Sequence, residues 1–447
     1  MAATRDLTKG RPFSVIITFA LPMLLSQLFQ QLYNTADTLF VGQFLGTEAL
    51  AAVSASGSLI FLMVSFFEGL AMGAGVLISR YYGANEPDNV NRAVHTDLAM
   101  GLLCGTVLTV VGVAFTPTLL RWMQVDPDVM PQAIEYFRYY FLGGLALVMY
   151  NTCRGIMTAL GDSKRPLYYL IFSSLLNIAL DLLFVAGFGW GVWSAALATV
   201  ISQAASVLLC LVHMCKKDQV FTVQWQKLRL HRDMLRQILR YGLPSAVQNS
   251  VIAIANVIVQ SHVNVYGKMA TAASGVHSKI EGFAFLPITA FNMAVTTFVS
   301  QNLGARQYER AKSGARIGIL TAVVLAELVG VVVFFGSEWL VGIFDATPEV
   351  LAYGRMIHNI VPLFYCLLAF AHSVAAVCRG AGKAFVPMFI MLAIWCVLRI
   401  AYIITVTHFF HRFDLVYWAY PLTWFVSSII YLIYFLKSDW VHGLDKH

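Results

Sequence analysis

The sequence predicts an all-α membrane protein of twelve transmembrane helices, arranged as two six-helix bundles related by a parallel internal repeat. Three observations carry that prediction. Of the 447 residues, 59% are hydrophobic and 12% charged, with mean hydropathy +0.71, whereas a soluble domain carries roughly 25% charge. Apolar stretches near the roughly 20 residues needed to cross a bilayer recur along the whole chain. The two halves also match each other at a spacing of about 221 or 222 residues.

Twelve segments qualify as spans, near 14–40, 52–79, 93–117, 133–157, 166–187, 192–214, 241–265, 281–302, 314–336, 352–378, 385–407 and 415–436. The first follows a basic flank, outlasts a signal-peptide core and lacks a cleavage site, so it reads as a retained span. The longest soluble connection, 215–240, is basic and partly amphipathic. It is expected to lie on the cytoplasmic surface as a linker between an N-terminal lobe, 1–214, and a C-terminal lobe, 241–447. With both termini cytoplasmic, 23 of the 30 Lys and Arg fall on the inner side, 6 outside, and Arg399 within a span. That is the positive-inside bias of an inner-membrane protein, so the net charge of +7 calls for no nucleic acid. Seven cysteines, irregularly spaced and without a CxxC pair, indicate neither a disulfide framework nor a zinc site.

The repeat is explicit in the residues. Leu21-Pro22 returns as Leu243-Pro244, Asn34 as Asn256, Gly83-Ala84 as Gly304-Ala305, and Gly161…Pro166 as Gly382…Pro387. Each half has an even number of spans, so the halves run in the same orientation, about an axis along the membrane normal. Two matched lobes around a central cavity suit alternating access.

The first span contains a polar stripe. Gln27, Gln30, Gln31, Asn34, Asp37 and Thr38 fall within an arc of about 120° on an ideal helix. Amides alone fit interhelical hydrogen bonding, but an aspartate calls for protein or a watery cavity around it, because a charge at the bilayer centre costs at least about 2.5–3.5 kcal/mol. Ser173 or Ser174, Asn177 and Asp181 stack oxygens along one face of the fifth span. Such a set suits a proton or a hard cation. The seventh span repeats the amides, with Ser245, Asn249, Asn256 and Gln260, but has Val259 where Asp37 would recur. Ion coupling is therefore expected in the N-terminal half, with a substrate path lined by both.

The remaining ionisable groups support blander readings. Glu68 lies among small residues, where packing and transport are equally good accounts. Asp97, Glu281 and Lys279 near span ends are expected to snorkel or pair at the interface. Glu327 and Arg399 are expected to neutralise one another, and His372 to be a hydrogen-bonded core histidine. Tyr33 and Tyr136 offer cation–π faces. No Walker A, HExxH, GxSxG or TVGYG-like pattern occurs, which disfavours ATP-driven transport, an intramembrane enzyme and a potassium channel.

At its LP dipeptide, NTADTLFVG, RYYGANEPDNVNRA, SQNLGARQYERA, RGIMTALGDSKRP and CRGAGKAFVP, the chain resembles the multidrug and toxic compound extrusion (MATE) family over roughly 12–437. The resemblance implies a V-shaped pair of bundles exporting cationic or amphiphilic small molecules in exchange for protons or sodium, with no cofactor and no required oligomer. It further implies an ion site at Asp37, Asn177, Asp181 and Thr199, where Na+ is one candidate, within a network including Gln30, Tyr33, Tyr136 and Asn151. Another branch of the family places acids in the C-terminal half on helices 7 and 10. Here those helices offer Asn256 and His372. Two rival readings are a lipid-linked oligosaccharide flippase, whose cavity should be rich in Arg and Lys, and a receptor or scaffold without flux.

Overall fold

The computed structural model describes residues 6–122, 127–216 and 221–442, the side chains of 36–59 excepted. Among the described residues, eleven helical segments are long and apolar enough to cross a membrane. They are spans 1 (Pro12–Thr35), 2 (Ile60–Gly83), 3 (Pro87–Trp122), 5 (Lys164–Gly187), 6 (Trp193–Met214), 7 (Arg232–Asn264), 8 (Lys268–Gly304), 9 (Tyr308–Phe335), 10 (Pro348–Gly380), 11 (Phe385–Phe409) and 12 (Phe413–Lys437). Span 4 is a broken pair, Met130–Leu142 and Gly144–Ala159.

The break in span 4 has a steric cause. A Cβ at Gly143 would stand 2.3 Å from Val200 Cγ2 of span 6, so only glycine permits this approach. The Leu145 amide released at the break donates to Thr109 Oγ1 of span 3 at 3.0 Å. Spans 7 and 8 begin nine and thirteen residues before the hydropathy limits of 241 and 281. Their first turns are charged or small and polar, and they are helical because packing, not hydropathy, carries them.

The chain forms two compact units. One holds Met1–Asp6 and Leu25–Ala246; the other holds Leu7–Leu24 and Val247–His447. The passages between them fall inside spans 1 and 7, each two residues after a proline, Pro22 or Pro244. The first half of span 1 belongs to the C-terminal unit, where Ile16, Phe19 and Ala20 join Phe291, Ala294 and Phe298 in one apolar core. The first half of span 7 belongs to the N-terminal unit, seated on span 2. A Cβ at Gly73 would lie 2.1 Å from Gly242 N, and one at Gly69 2.5 Å from Ala246 Cα. This is small-xxx-small packing of two membrane helices.

The internal repeat is visible in the backbone. Asn85 and Arg306, 221 residues apart, both adopt φ 57° where a helix ends. Gly161 and Gly382, equally spaced, adopt φ 86° and 73°. The matching amides of Glu86 and Gln307 close onto Tyr81 O and Asn302 O at 3.0 and 2.8 Å, ending both helices the same way. In the connection before span 7, Gln224 N donates to His95 Nε2 (3.0 Å) and Arg92 pairs with Asp233 (2.9 Å). The segment is thereby tied to span 3.

Candidate functional site: a polar cavity in the N-terminal unit

Spans 1, 2, 4, 5 and 6 enclose a cavity of about 370 Å³ in the N-terminal unit. Its wall is unusually polar for the interior of a helix bundle. Gln30, Tyr33, Asn34, Tyr136, Asn151 and Thr199 all line it, together with Ser173 and Ser174. Helical periodicity brings the span 1 residues there, since Gln30 and Asn34 lie one turn apart and hydrogen-bond at 3.3 Å. Tyr136 stacks on Tyr140 with ring centroids 6.2 Å apart, and both rings line the cavity.

From the lining residues Tyr33 and Thr199 a hydrogen-bonded cluster runs into the protein and joins three spans. Tyr33 OH meets Thr199 Oγ1 at 3.1 Å. Thr199 Oγ1 in turn donates to Ala195 O at 3.1 Å. Oriented by its neighbours, the Asn177 amide donates to Asp181 Oδ2 at 2.8 Å and accepts from Thr199 N–H at 3.0 Å. Asn177 and Asp181 are 1% and 2% exposed. Immediately after Asp181 the α-helix of span 5 widens into a π-helical turn, Leu182–Gly187, a feature that recurs at functional positions. Asp37, one turn beyond Tyr33 in sequence, lies outside the described residues.

Two charged residues also line the cavity, and the sequence did not pair them. Arg154 donates to Glu68 Oε1 at 2.8 Å and to Asn151 Oδ1 at 3.3 Å. The Glu68 side chain is 41% exposed and that of Arg154 18%, so the cavity presents the carboxylate and keeps the guanidinium behind it.

Asn256 and Gln260 stand elsewhere. Both belong to the C-terminal unit, where Asn256 is exposed and Gln260 accepts from Ser274 at 2.9 Å. Three further expectations are corrected. Asp97 does not snorkel: it is 1% exposed, and its Oδ1 has no hydrogen-bond partner. Glu327 and Arg399 do not pair, because each is satisfied locally. Glu327 accepts the Cys366 amide at 3.0 Å, while Arg399 binds Thr423 at 3.0 Å and sits 4.5 Å from the Tyr420 ring centroid. His372 packs edge-on between Phe285 and Trp395 without a hydrogen bond. Among the described residues no His, Cys, Asp and Glu group is arranged to hold a metal ion, and all seven cysteines are free.

The MatE family model matches residues 22–183 and again 244–405, two copies starting 222 residues apart. The chain belongs to the MatE family. It is 30% identical over 444 residues to the probable multidrug resistance protein YoeA of Bacillus subtilis, covering 97% of this chain and 95% of that one. It is 24% identical over 431 residues to the probable multidrug resistance protein NorM of Thermotoga maritima, covering 95% and 92%. A crystal structure of MATE in the straight conformation superposes with TM-score 0.89 at 25% identity, over 99% of each chain. One in the bent conformation gives 0.90 at 24%, over 98% of each. As a MatE member the protein is a multi-pass membrane transporter and not an enzyme, and its fold is the two-bundle fold of those structures.

Proposed function

We propose that this MatE transporter is a secondary antiporter of a prokaryotic inner membrane, with both termini cytoplasmic, that exports cationic or amphiphilic small molecules in exchange for protons or sodium ions. The observation that carries the reading is the Tyr33–Thr199–Asn177–Asp181 cluster, which joins a polar-lined cavity through Tyr33 and Thr199. Its relatives point the same way, since the multidrug export protein MepA of Staphylococcus saprophyticus is 22% identical over 338 residues.

The chemistry follows from the arrangement. Asp181 with Asn177 and Thr199 offers oxygens to a proton or a sodium ion, and the family resemblance adds Asp37 as a second acid. Neutralising these carboxylates changes what span 1 hydrogen-bonds to, and a bend near Pro22 or in its polar middle reshapes the cavity. The thermodynamic requirement is that ion and substrate favour different states of the carrier. The tyrosine faces attract a cation, and the amides and hydroxyls tolerate varied shapes. The cavity's one guanidinium is neutralised by Glu68, which leaves a pyrophosphate-bearing lipid without the basic lining it needs. A receptor has no use for a matched repeat around such a cavity.

Proteoliposomes holding a fluorescent organic cation test the proposal under an imposed pH or sodium gradient. Export driven by one gradient, and weakened at least tenfold by Glu68→Gln, is the expected result. No gradient-driven flux with several cations would overturn it.

A further inference from the structure

The C-terminal unit buries a second set of ionisable groups that the cavity does not use. His277 Nδ1 of span 8 lies 3.2 Å from His358 Nε2 of span 10. On the other side of the His277 ring, Nε2 faces Glu281 Oε2 at 3.9 Å. His277 is 4% exposed and His358 0%, whereas the Glu281 side chain retains 24% exposure. His358 Nδ1, fully enclosed, has no hydrogen-bond partner.

From these distances we infer that His277, His358 and Glu281 form a proton-binding site within the C-terminal unit. The tautomers fix where the proton goes. With His277 protonated on Nε2, that N–H points to the Glu281 carboxylate and His277 Nδ1 accepts from His358 Nε2–H. The two rings are then hydrogen-bonded to each other, and the lone pair on His358 Nδ1 is left without a partner. A proton added there makes His358 an imidazolium. Passing its Nε2 proton to His277 Nδ1 leaves His358 neutral and moves the charge onto His277, next to Glu281. One proton enters, one is relayed, and the charge ends beside its counter-ion. His358 is the last residue of its helix, Pro348–His358, where the helix dipole also favours positive charge.

The surroundings leave the charge balance to this trio. The other groups whose fields reach Glu281 or the imidazoles are Tyr365, Tyr417, Tyr420 and Arg399. Arg399 opposes a charge on the pair but is held against Tyr420 and Thr423. Glu327 of span 9 is engaged with the Cys366 amide, and Lys279, Glu338 and Arg355 are exposed. Lys279 lies over the Phe344 ring, and Asp414 of span 12 is paired with Arg412 at 2.6 Å. No sequence signal joins His277 to His358, which are 81 residues apart.

Use of this site in transport rests on the antiport reading, but proton uptake does not, and the test reads uptake alone. Protein labelled with ¹⁵N-histidine in lipid nanodiscs is titrated by NMR, the two rings being assigned from His277→Gln and His358→Gln. The two imidazoles are expected to take up one proton as a coupled pair as the pH is lowered from 8 to 4. Glu281→Gln is expected to move that midpoint down by roughly 1–3 pH units, the effect of removing an opposite charge at this range. Wild-type rings that both stay neutral down to pH 4, or a midpoint unmoved by Glu281→Gln, would overturn the inference.

Discussion

Gly73→Ala tests the backbone-to-backbone approach of spans 2 and 7 in the N-terminal unit. The added Cβ would lie 2.1 Å from Gly242 N and 2.2 Å from Gly242 Cα, where carbon contacts settle at about 3.5–4.0 Å. Both obstacles are backbone, so no rotamer relieves the clash, and spans 2 and 7 must part by roughly 1.5 Å at their crossing. Overpacking of this kind costs about 1–3 kcal/mol, offset by up to about 1 kcal/mol from replacing a helical glycine. The net is a loss of about 1–2 kcal/mol. Gly275→Ala supplies the control, because its Cβ would meet nothing within 4 Å; it should be neutral or slightly stabilising. Thermal unfolding of both variants in one detergent at one scan rate measures the difference, which should be a few degrees in favour of Gly275→Ala. Equal Tm values, or a more stable Gly73→Ala, would refute the argument that this approach requires glycine.

Asp97→Asn replaces a buried carboxyl whose Oδ1 is unpartnered by an uncharged group of the same shape, so Tm at pH 7 should hold or rise; a marked fall would show that Asp97 has a partner in the working protein. Glu68→Gln and Arg154→Gln, measured singly and together, should show a coupling of about 1–3 kcal/mol, between the values for exposed and buried ion pairs; additive effects would count against the pair. Outside the spans, hydrogen bonds from Thr347 hold the Asp345 carboxyl below the usual carboxylate range. The turn closed by Thr347 N–H on Asp345 is therefore complete at neutral pH and weakens as pH falls through the Asp345 titration, which faster amide exchange at Thr347 in acid, corrected for intrinsic rates, would register.

Residues that act through chain-local patterns were legible in the sequence, and residues that act through distant pairing were not. Hydropathy located twelve spans, eleven of which are helical segments of spanning length among the described residues, and the repeat matched the loops in which Gly161 and Gly382 share a positive φ. The stripe from Gln30 to Asn34 and the Asn177–Asp181 spacing placed side chains on faces that meet, because a helix fixes those faces locally. The break at Gly143 depends on Val200 of another helix, and hydropathy does not register it. Span 8 begins at Lys268 in a run of small and polar residues that reads as surface, yet Ala270, Ala273 and His277 are buried. Glu68 with Arg154, and His277 with His358, are joined only by packing. The expected Glu327–Arg399 pair failed for the same reason: a free amide at Cys366 and a hydroxyl with two rings around Arg399 were nearer partners.

The central claim is that the acids beside Tyr33 and Thr199 couple ion movement to export, and Asp181→Asn tests it most directly. Binding of a fluorescent organic cation and its gradient-driven export are measured on the same reconstituted sample, for wild type and variant. The account predicts that the variant binds the cation within a few-fold of wild type and loses export driven by either gradient. Export retained at the wild-type rate, with the same dependence on the gradient, would contradict it.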